Sequence, residues 1–437
     1  MSDVDILIVG AGAAGIAAAR AARQAGRSVL LLEARDRAGG RARTDLTTLG
    51  APFDLGATWL HEAGANPLTP LAAAAASDHD APFDHDTVRS HRCLLGDRMA
   101  TAAEMAEYDA AYGRFHAHLA ARRAPGRSAG AVAPRGGPWD ATIAHWEGEV
   151  ICAAPLAAMD LDDFLDTQLS GPNLLLPGGL GPLLQGLAAG LPIRLGAVVR
   201  RIDWGGTRIA VEGDFGRVTA GAVVVTIPTS LLAAGAIRFD PPLPAETLQA
   251  AHDLPLGLLS KIGLKASGAD RLDLPDFGGL ERRVDDPAEP AMSFVAWPFG
   301  RDHLMGFLGG EAAWALSGQG SAALQAHALA ELRRAYGGRA DRAIRADLAA
   351  MHDWGADPFA RGAYSHARPG RAAARVTLGT PLQEGRLCFA GEACHPRYAA
   401  TLAGAWDSGC QAAAAALAAT GPAAAAFAAT ERVSGGL

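Results

Sequence analysis

Paired cysteines are missing from this chain. Its 437 residues hold five cysteines, at Cys93, Cys152, Cys388, Cys394 and Cys410, with no C-x-x-C among them. A scattered, odd set of this kind argues against a disulfide framework and fits a reducing compartment. Cys394 and His395 are neighbours, but no further ligand stands at metal spacing, so no metal site is expected. A basic tail or patch is missing as well: 39 basic against 46 acidic residues leave a net charge of −7, and no nucleic-acid partner is expected. Met1-Ser2-Asp3 leads straight into an apolar strand, so no signal peptide is expected. The run Gln411 to Thr430 is nearly all alanine, broken by Gly421-Pro422. Alanine adds little transfer energy, so no membrane span is expected there. No fixed-period repeat is visible. The expectation is a soluble, cytoplasmic protein, with nothing in the pattern to set its oligomeric state.

The length suits two or three domains, and 49% hydrophobic against 19% charged residues is enough apolar material for a sizeable core. The chain is organised around Asp5 to Thr44. Asp5-Ile6-Leu7-Ile8-Val9 reads as a buried parallel strand. Gly10, Gly12 and Gly15 follow as G-x-G-x-x-G. The first allows a tight turn, the second lets backbone approach a pyrophosphate, and the third lets helix pack on strand. Ala13 to Ala25 is a good helix former whose N-terminus points positive charge at phosphates. Ser28 to Leu32 reads as the second strand, ending at Glu33, where an acid bonds the adenosine ribose. Arg37, Gly39, Gly40 and Arg41 then form a second close-approach loop with cations placed for a diphosphate; a solvated basic turn is the plainer alternative.

Further along, Gly56-Ala57-Thr58-Trp59-Leu60-His61-Glu62 follows a short strand at Phe53-Asp54-Leu55. It reads either as a backbone approach to a planar ring or as a turn before a core tryptophan. Ser77 to Asp86 is acidic with interleaved histidines, a solvated loop or a rim that attracts cationic amines. Arg122 to Pro138, rich in Arg, Gly and Pro, is expected to be flexible. Leu180 to Ala189 reads as a helix, Val198 to Asp203 and Ile209 to Val211 as an antiparallel pair, and Ala222 to Pro228 as a buried strand. Gly257 to Lys265 alternates as a strand with Ile262 and Leu264 on one face and Lys261 and Lys265 on the other; pattern alone makes both lysines solvent-facing. Phe294 and Trp297 are expected in the core, ahead of a helix from about Ala322 to Tyr336.

Three later blocks carry a resemblance: His352-Asp353-Trp354 with Asp357-Pro358 and Gly362-Ala363-Tyr364-Ser365, then Leu387 to Glu392, then Thr401-Leu402-Ala403-Gly404. In order, and with the opening glycine turn, they resemble the flavin-containing amine oxidases: monoamine and polyamine oxidases, L-amino-acid oxidases and lysine-specific histone demethylases. The fold this implies is α/β, a Rossmann-like FAD-binding domain assembled from three discontinuous segments, 1–68, 174–236 and 376–430. With it goes an α+β substrate domain with a mixed sheet and helices, 69–173 and 237–375.

The resemblance implies FAD held by Gly10, Gly12, Ala14 and Gly15, by Glu33-Ala34-Arg35, and by Gly40-Arg41. It adds Gly56-Ala57-Thr58-Trp59, Val199, Gly391-Glu392 and the helix start at Thr401-Leu402. Amides at that helix start would stabilise negative charge on the reduced ring. Ala363 stands where monoamine oxidases tether the flavin through cysteine, so non-covalent FAD is expected. The catalytic set implied is Lys261, Tyr364, Trp354, His61 and Thr401, with His61, Glu62 and Tyr364 toward substrate. The activity implied is hydride transfer from an amine α-carbon to flavin N5, giving an imine, with O2 reduced to hydrogen peroxide. L-amino-acid oxidases need an arginine for the substrate carboxylate, whereas this chain has His61-Glu62 after its Gly-Ala loop. A polyamine or secondary amine is therefore the expected substrate, a monoamine or L-amino acid the alternative. A non-catalytic flavin-fold binding protein is the alternative of a different class.

Overall fold

The opening strand, Asp3–Val9, lies inside a mixed sheet, paired parallel with Val29–Leu32 on one side and Gly216–Val225 on the other. Both its faces are covered: Ile6, Leu7 and Ile8 are completely buried, which is why its apolar run is continuous rather than alternating. This computed structural model describes residues 3–76, 81–88 and 90–421. The sheet runs in the order Ile193–Arg194, Val29–Leu32, Asp3–Val9, Gly216–Val225, Ile209–Gly213, Val199–Asp203 and Arg238–Asp240, with Leu387–Phe389 branching from Gly216–Val225. Arg238–Asp240 was expected beyond this layer, yet it pairs with Val199–Asp203. On one face the helix Ala13–Gln24 packs against Leu402–Ala419. A Cβ on Gly409 would run into the Ala14 carbonyl, so glycine here allows two alanine-rich helices to touch backbone to backbone.

A second sheet carries Lys261. Its order is Ile344–Met351, Leu259–Ala266, His303–Gly309, Ser293–Ala296, Gly279–Arg282, His91–Leu95 and Arg98–Met99. It is mixed, since Gly279–Arg282 runs parallel to His91–Leu95 while the other pairs are antiparallel. Phe294 and Trp297 lie in its core as expected. The helix over Ser321–Tyr336 matches the expected span to within a residue.

The reading of Lys265 needs correction: its Nζ donates to the Leu49 carbonyl at 2.7 Å instead of facing only solvent. Arg122 to Pro138 is also less free than expected. Ala129 donates to the Met159 carbonyl and Leu161 to that of Arg127, each at 2.8–2.9 Å, and Ala129 and Val132 are buried. Of the acidic stretch, residues 77–80 lie outside the described residues, as does the alanine run beyond Gly421. Among the described residues no helix is long and apolar enough to cross a membrane, and no group of three His, Cys, Asp or Glu side chains gathers as for a metal.

Candidate active site

The glycines of the first turn each meet a physical constraint. Gly10 sits at φ +104°, where L side chains are strained, and a Cβ on Gly15 would strike the Gly10 carbonyl. Gly12 and Gly40 bring two loops together, a Cβ on Gly40 falling 3.2 Å from the Gly12 Cα. The helix beginning at Ala13 has neither a capping side chain nor an acid in its first turn, so its N-terminal field is available to an anion. Buried Glu33 closes the turn: one carboxylate oxygen accepts from the Ala11 amide at 2.7 Å, the other from Arg35 N–H at 2.9 Å. Across from it, Gly391 at φ +143° has open space where its Cβ would project. A cleft lined by Arg41, Thr226, Ile227, Gly391 and Glu392 continues from there. Close-approach backbone, an uncapped helix start and a buried acid fit an adenine dinucleotide. Gly15→Ala is expected to weaken FAD retention by about tenfold or more, since overpacking at such a contact costs about 1–3 kcal/mol; cofactor content after dialysis measures it, and full retention refutes it.

The loop arginines are used differently from a simple phosphate clamp. Arg37 donates to the Gly40 carbonyl at 2.9 Å and wraps its own loop. Burial, with Arg35 and Arg43 nearby, lowers it to about 10. Arg35 makes a bidentate pair with Asp357 at 2.7 and 2.8 Å. Arg41 reaches the Ala363 carbonyl at 2.6 Å and Glu392 at 3.1 Å. Glu392 also accepts from the Ser365 hydroxyl at 2.7 Å and the Ala400 amide at 3.1 Å. Burial opposes ionisation of Glu392, but Arg41, Ser365 and Arg375 outweigh it and hold the carboxyl below its usual range. Ala34 follows Glu33 in the turn leaving the strand, and Val199 is buried at the start of its own strand.

Lys261 points inward. Its side chain is buried, with Nζ donating to the Gly56 carbonyl at 2.5 Å and to the Thr58 hydroxyl. Thr58 in turn donates to the Gly56 carbonyl at 3.0 Å. The ammonium lies 5.5 Å from the centre of the Trp59 ring and 5.7 Å from that of Phe307, close enough for cation–π attraction. Burial pulls Lys261 down to about 8, partly offset by Asp54. Asp54 is itself raised by burial, although Thr44, Lys261 and the Leu180 amide all favour its charged form. Strand pairing explains the placement: Lys261 opposes Phe307.

His61 and Glu62 stand beyond Trp59. His61 Nδ1 lies 2.6 Å from Asn173 Oδ1, and the Asn173 amide donates to Asp86 at 2.7 Å. Burial lowers His61, keeping it neutral at pH 7. Glu62, at φ 52°, accepts from the Ser170 amide at 2.6 Å. Trp354 is buried and donates to the Leu55 carbonyl at 2.8 Å, its ring over Gly56, where a Cβ would fall 2.9 Å away. Ala57 lies between, its amide bonded to the Arg41 carbonyl at 3.2 Å. Tyr364 donates to the Ile151 carbonyl at 2.8 Å, and burial raises its phenol far above the usual range. Thr401 caps the helix from Leu402: its hydroxyl accepts from Gly404 N–H at 3.0 Å and donates to the Tyr398 carbonyl at 2.7 Å.

The structure thus gathers Lys261, Gly56, Thr58, Trp59 and Trp354, with His61 and Glu62 further along the same loop. The Thr401 hydroxyl is consumed in its cap, leaving the helix amides as the chemical feature there. Sequence reasoning missed Asp54, Phe307, Asn173 and Glu149. Glu149 lies in a π-helix over Trp146–Ile151, the kind of irregular turn that often marks function. Burial raises its carboxyl to about 7, and one oxygen has no hydrogen-bond partner.

Residues 13–417 match the family described as flavin containing amine oxidoreductase. The chain belongs to that family. Its cofactor is FAD. It is 30% identical over 432 residues to Lysine-specific histone demethylase 1 homolog 3 of Oryza sativa subsp. japonica, covering 92% of this chain and 53% of that protein. To Polyamine oxidase 4 of the same organism it is 29% identical over 294 residues, 60% of this chain and 59% of that one. The chain thus spans little more than half the length of these curated relatives. Among solved structures, a putrescine oxidase bound to putrescine superposes with a TM-score of 0.74 at 22% identity, covering 94% of this chain and 98% of that one. The α/β architecture is that of the FAD-dependent amine oxidases.

Proposed function

We propose that this protein oxidises a polyamine or a secondary amine, favoured where it carries a second, distal positive charge, using non-covalently held FAD. Bound FAD supplies a two-electron acceptor for the α-carbon hydride, the amine leaving as an imine that water hydrolyses and O2 leaving as hydrogen peroxide. The carrying observation is the buried Lys261 ammonium between the Trp59 and Phe307 rings, at the end of a loop that continues into His61 and Glu62. Lys261 holds a proton donor at Nζ where Gly56 and Thr58 fix its direction. Its charge disfavours a second cation nearby, so the reacting nitrogen binds neutral, as hydride loss requires. Glu62 and Asp86 supply negative charge for a distal ammonium beyond the reach of Lys261. Trp354 and Tyr364 pack the interior and exclude water.

The names of the curated relatives favour a second reading, an N-methylated lysine side chain as the secondary amine. A peroxide-coupled screen over spermine, spermidine, acetylated polyamines, tyramine, L-amino acids and a methyl-lysine peptide separates the cases. Turnover of spermine or spermidine is expected. Turnover confined to L-amino acids refutes the charge argument, and turnover confined to the peptide selects the second reading. Acid precipitation is expected to release yellow flavin to the supernatant, because Ala363 offers no thiol; colour kept in the pellet refutes non-covalent binding.

A further inference from the structure

The loop that leaves Trp59 runs beside a segment, Ser170 to Asn173, with no part yet in the reaction. Trp59–Leu60, Leu174–Leu175 and Phe83–Asp84 form a small three-stranded antiparallel sheet, in which Leu174 pairs with both Leu60 and Asp84. One step further in that register, Asn173 stands between His61 and His85. The backbone there is held on several sides. Glu62 accepts from the Ser170 amide at 2.6 Å, and the Ala63 amide donates to the Pro172 carbonyl at 2.9 Å. The Asn66 side chain donates to the His61 carbonyl at 2.8 Å. The Asn173 side chain reaches two partners at once: Oδ1 lies 2.6 Å from His61 Nδ1, and Nδ2 lies 2.7 Å from Asp86 Oδ2.

Charge decides how that amide must face. A carboxylate only accepts hydrogen bonds, so the edge of Asn173 turned to Asp86 is its NH2. The edge facing His61 is then the carbonyl oxygen, which also only accepts. Nδ1 of His61 carries the hydrogen in that contact, and a neutral ring is left with a bare lone pair on Nε2. The ring is neutral at pH 7: burial lowers it, Asn173 and Asp86 oppose this, and His85 and Lys261 add to it. Covalent geometry turns Nε2 away from Asn173. The imidazole lies beside Trp59, 6.2 Å between ring centroids, and the Lys261 ammonium is 5.5 Å from the centre of the same indole. His61, Trp59 and Lys261 therefore belong to one site.

We infer that Asn173 and Asp86 are positioning residues, fixing His61 as the Nδ1–H tautomer so that Nε2 accepts a hydrogen bond from an N–H of the substrate amine. The substrate's part in this rests on the proposed amine oxidation, whereas the tautomer follows from the contacts alone. With the other tautomer Nε2 would be a donor, and an amine N–H would meet an N–H. Asp86 thus acts on the reacting end of the substrate through two intervening side chains, besides any attraction it exerts on a distal charge.

Nitrogen NMR of the holoenzyme labelled at histidine reads the tautomer directly, the His61 signals being those missing from His61→Gln. At pH 7 the proton is expected on Nδ1 in the wild type, and a mixture of both tautomers in Asp86→Ala. The Asp86 carboxylate is exposed, so its removal leaves the core intact. No turnover is needed for this spectrum, which decides the tautomer even if the chain oxidises no amine. In turnover of a secondary amine, Asn173→Leu is expected to lower kcat by about tenfold, the worth of one hydrogen bond, with FAD content unchanged. Asn173→Asp keeps an oxygen against Nδ1 and is expected to recover most of that rate. Its acid limb moves to higher pH, because the added anion favours the His61 cation and the bare Nε2 is lost as pH falls through the raised value. A proton on Nε2 in the wild type, a single unchanged tautomer in Asp86→Ala, full rate in Asn173→Leu, or Asn173→Asp no faster than Asn173→Leu each overturns the inference. The expected spectrum without turnover of any amine refutes the proposed oxidation instead.

Discussion

Replacing Lys261 with methionine is expected to slow turnover by about a hundredfold or more, with FAD still bound. Methionine keeps the length of the side chain and its packing against Trp59 and Phe307, so the loss reports on Nζ rather than on volume. Gly56 and Thr58 fix the direction of that atom, and a positioned proton donor is worth most where water is excluded. Stopped-flow reduction under anaerobic substrate, followed by reoxidation with O2, separates the two half-reactions. Unchanged rates in both remove Lys261 from the mechanism. The pH profile gives a second readout. Burial lowers Lys261 to about 8 and raises Asp54, and a pair this close titrates as a unit. As pH rises through the upper value, Nζ loses its charge and with it the attraction to the two rings. The wild-type profile therefore bends there, and that of Lys261→Met does not.

Arg375→Met is expected to cost about 3–5 kcal/mol of stability, the cost of leaving one partner of a buried ion pair uncompensated. Arg375 is 2% exposed. It donates to both oxygens of Asp163 at 2.5 and 2.8 Å, to the Ser365 hydroxyl at 2.9 Å and to the Ala393 carbonyl at 3.4 Å. Burial opposes its charge, but Asp163 and Glu392 outweigh that and hold it above the usual arginine range. Three separate stretches meet on one guanidinium: the helix Leu161–Asp166, Ser365 next to Tyr364, and Ala393 next to Glu392. Denaturant unfolding measures the cost, and a midpoint equal to wild type refutes it. The double variant Arg375→Met, Asp163→Leu is expected to recover part of the loss, because no unpaired charge then remains.

What could be read without coordinates followed the local patterns. The glycine turn, its helix and Glu33 form a contiguous unit whose physics is nearly all within thirty or so residues. Lys261 was legible only through resemblance, since alternation alone points it at solvent. The reason is tertiary: Phe307 and the Gly56–Trp59 loop, remote in sequence, cover the face it shares. Asp54 and Phe307 carried no signal, because an aspartate in a short strand and a phenylalanine in an apolar one look ordinary. The edge strand Ile344–Met351 was missed for the opposite reason. Its residues, IRADLAAM, favour helix, and pairing with Leu259–Ala266 overrides that preference. Arg37 and Arg41 both looked like cations for a diphosphate, because composition cannot tell a cation that faces a ligand from one that, like Arg37, braces its own loop.

The contact between Gly409 and Ala14 has a consequence for the order of assembly. The glycine turn emerges from synthesis well before the helix that covers its own helix, which is encoded hundreds of positions later. The strand Leu387–Phe389, which extends the same sheet, is equally late. Until both arrive, the alanine face around Ala14, Ala18 and Ala22 has no cover and the Gly391 side of the cleft does not exist. Cofactor capture is therefore a closing event in the life of the nascent chain, and the half-built nucleotide fold is the species most exposed to misassembly.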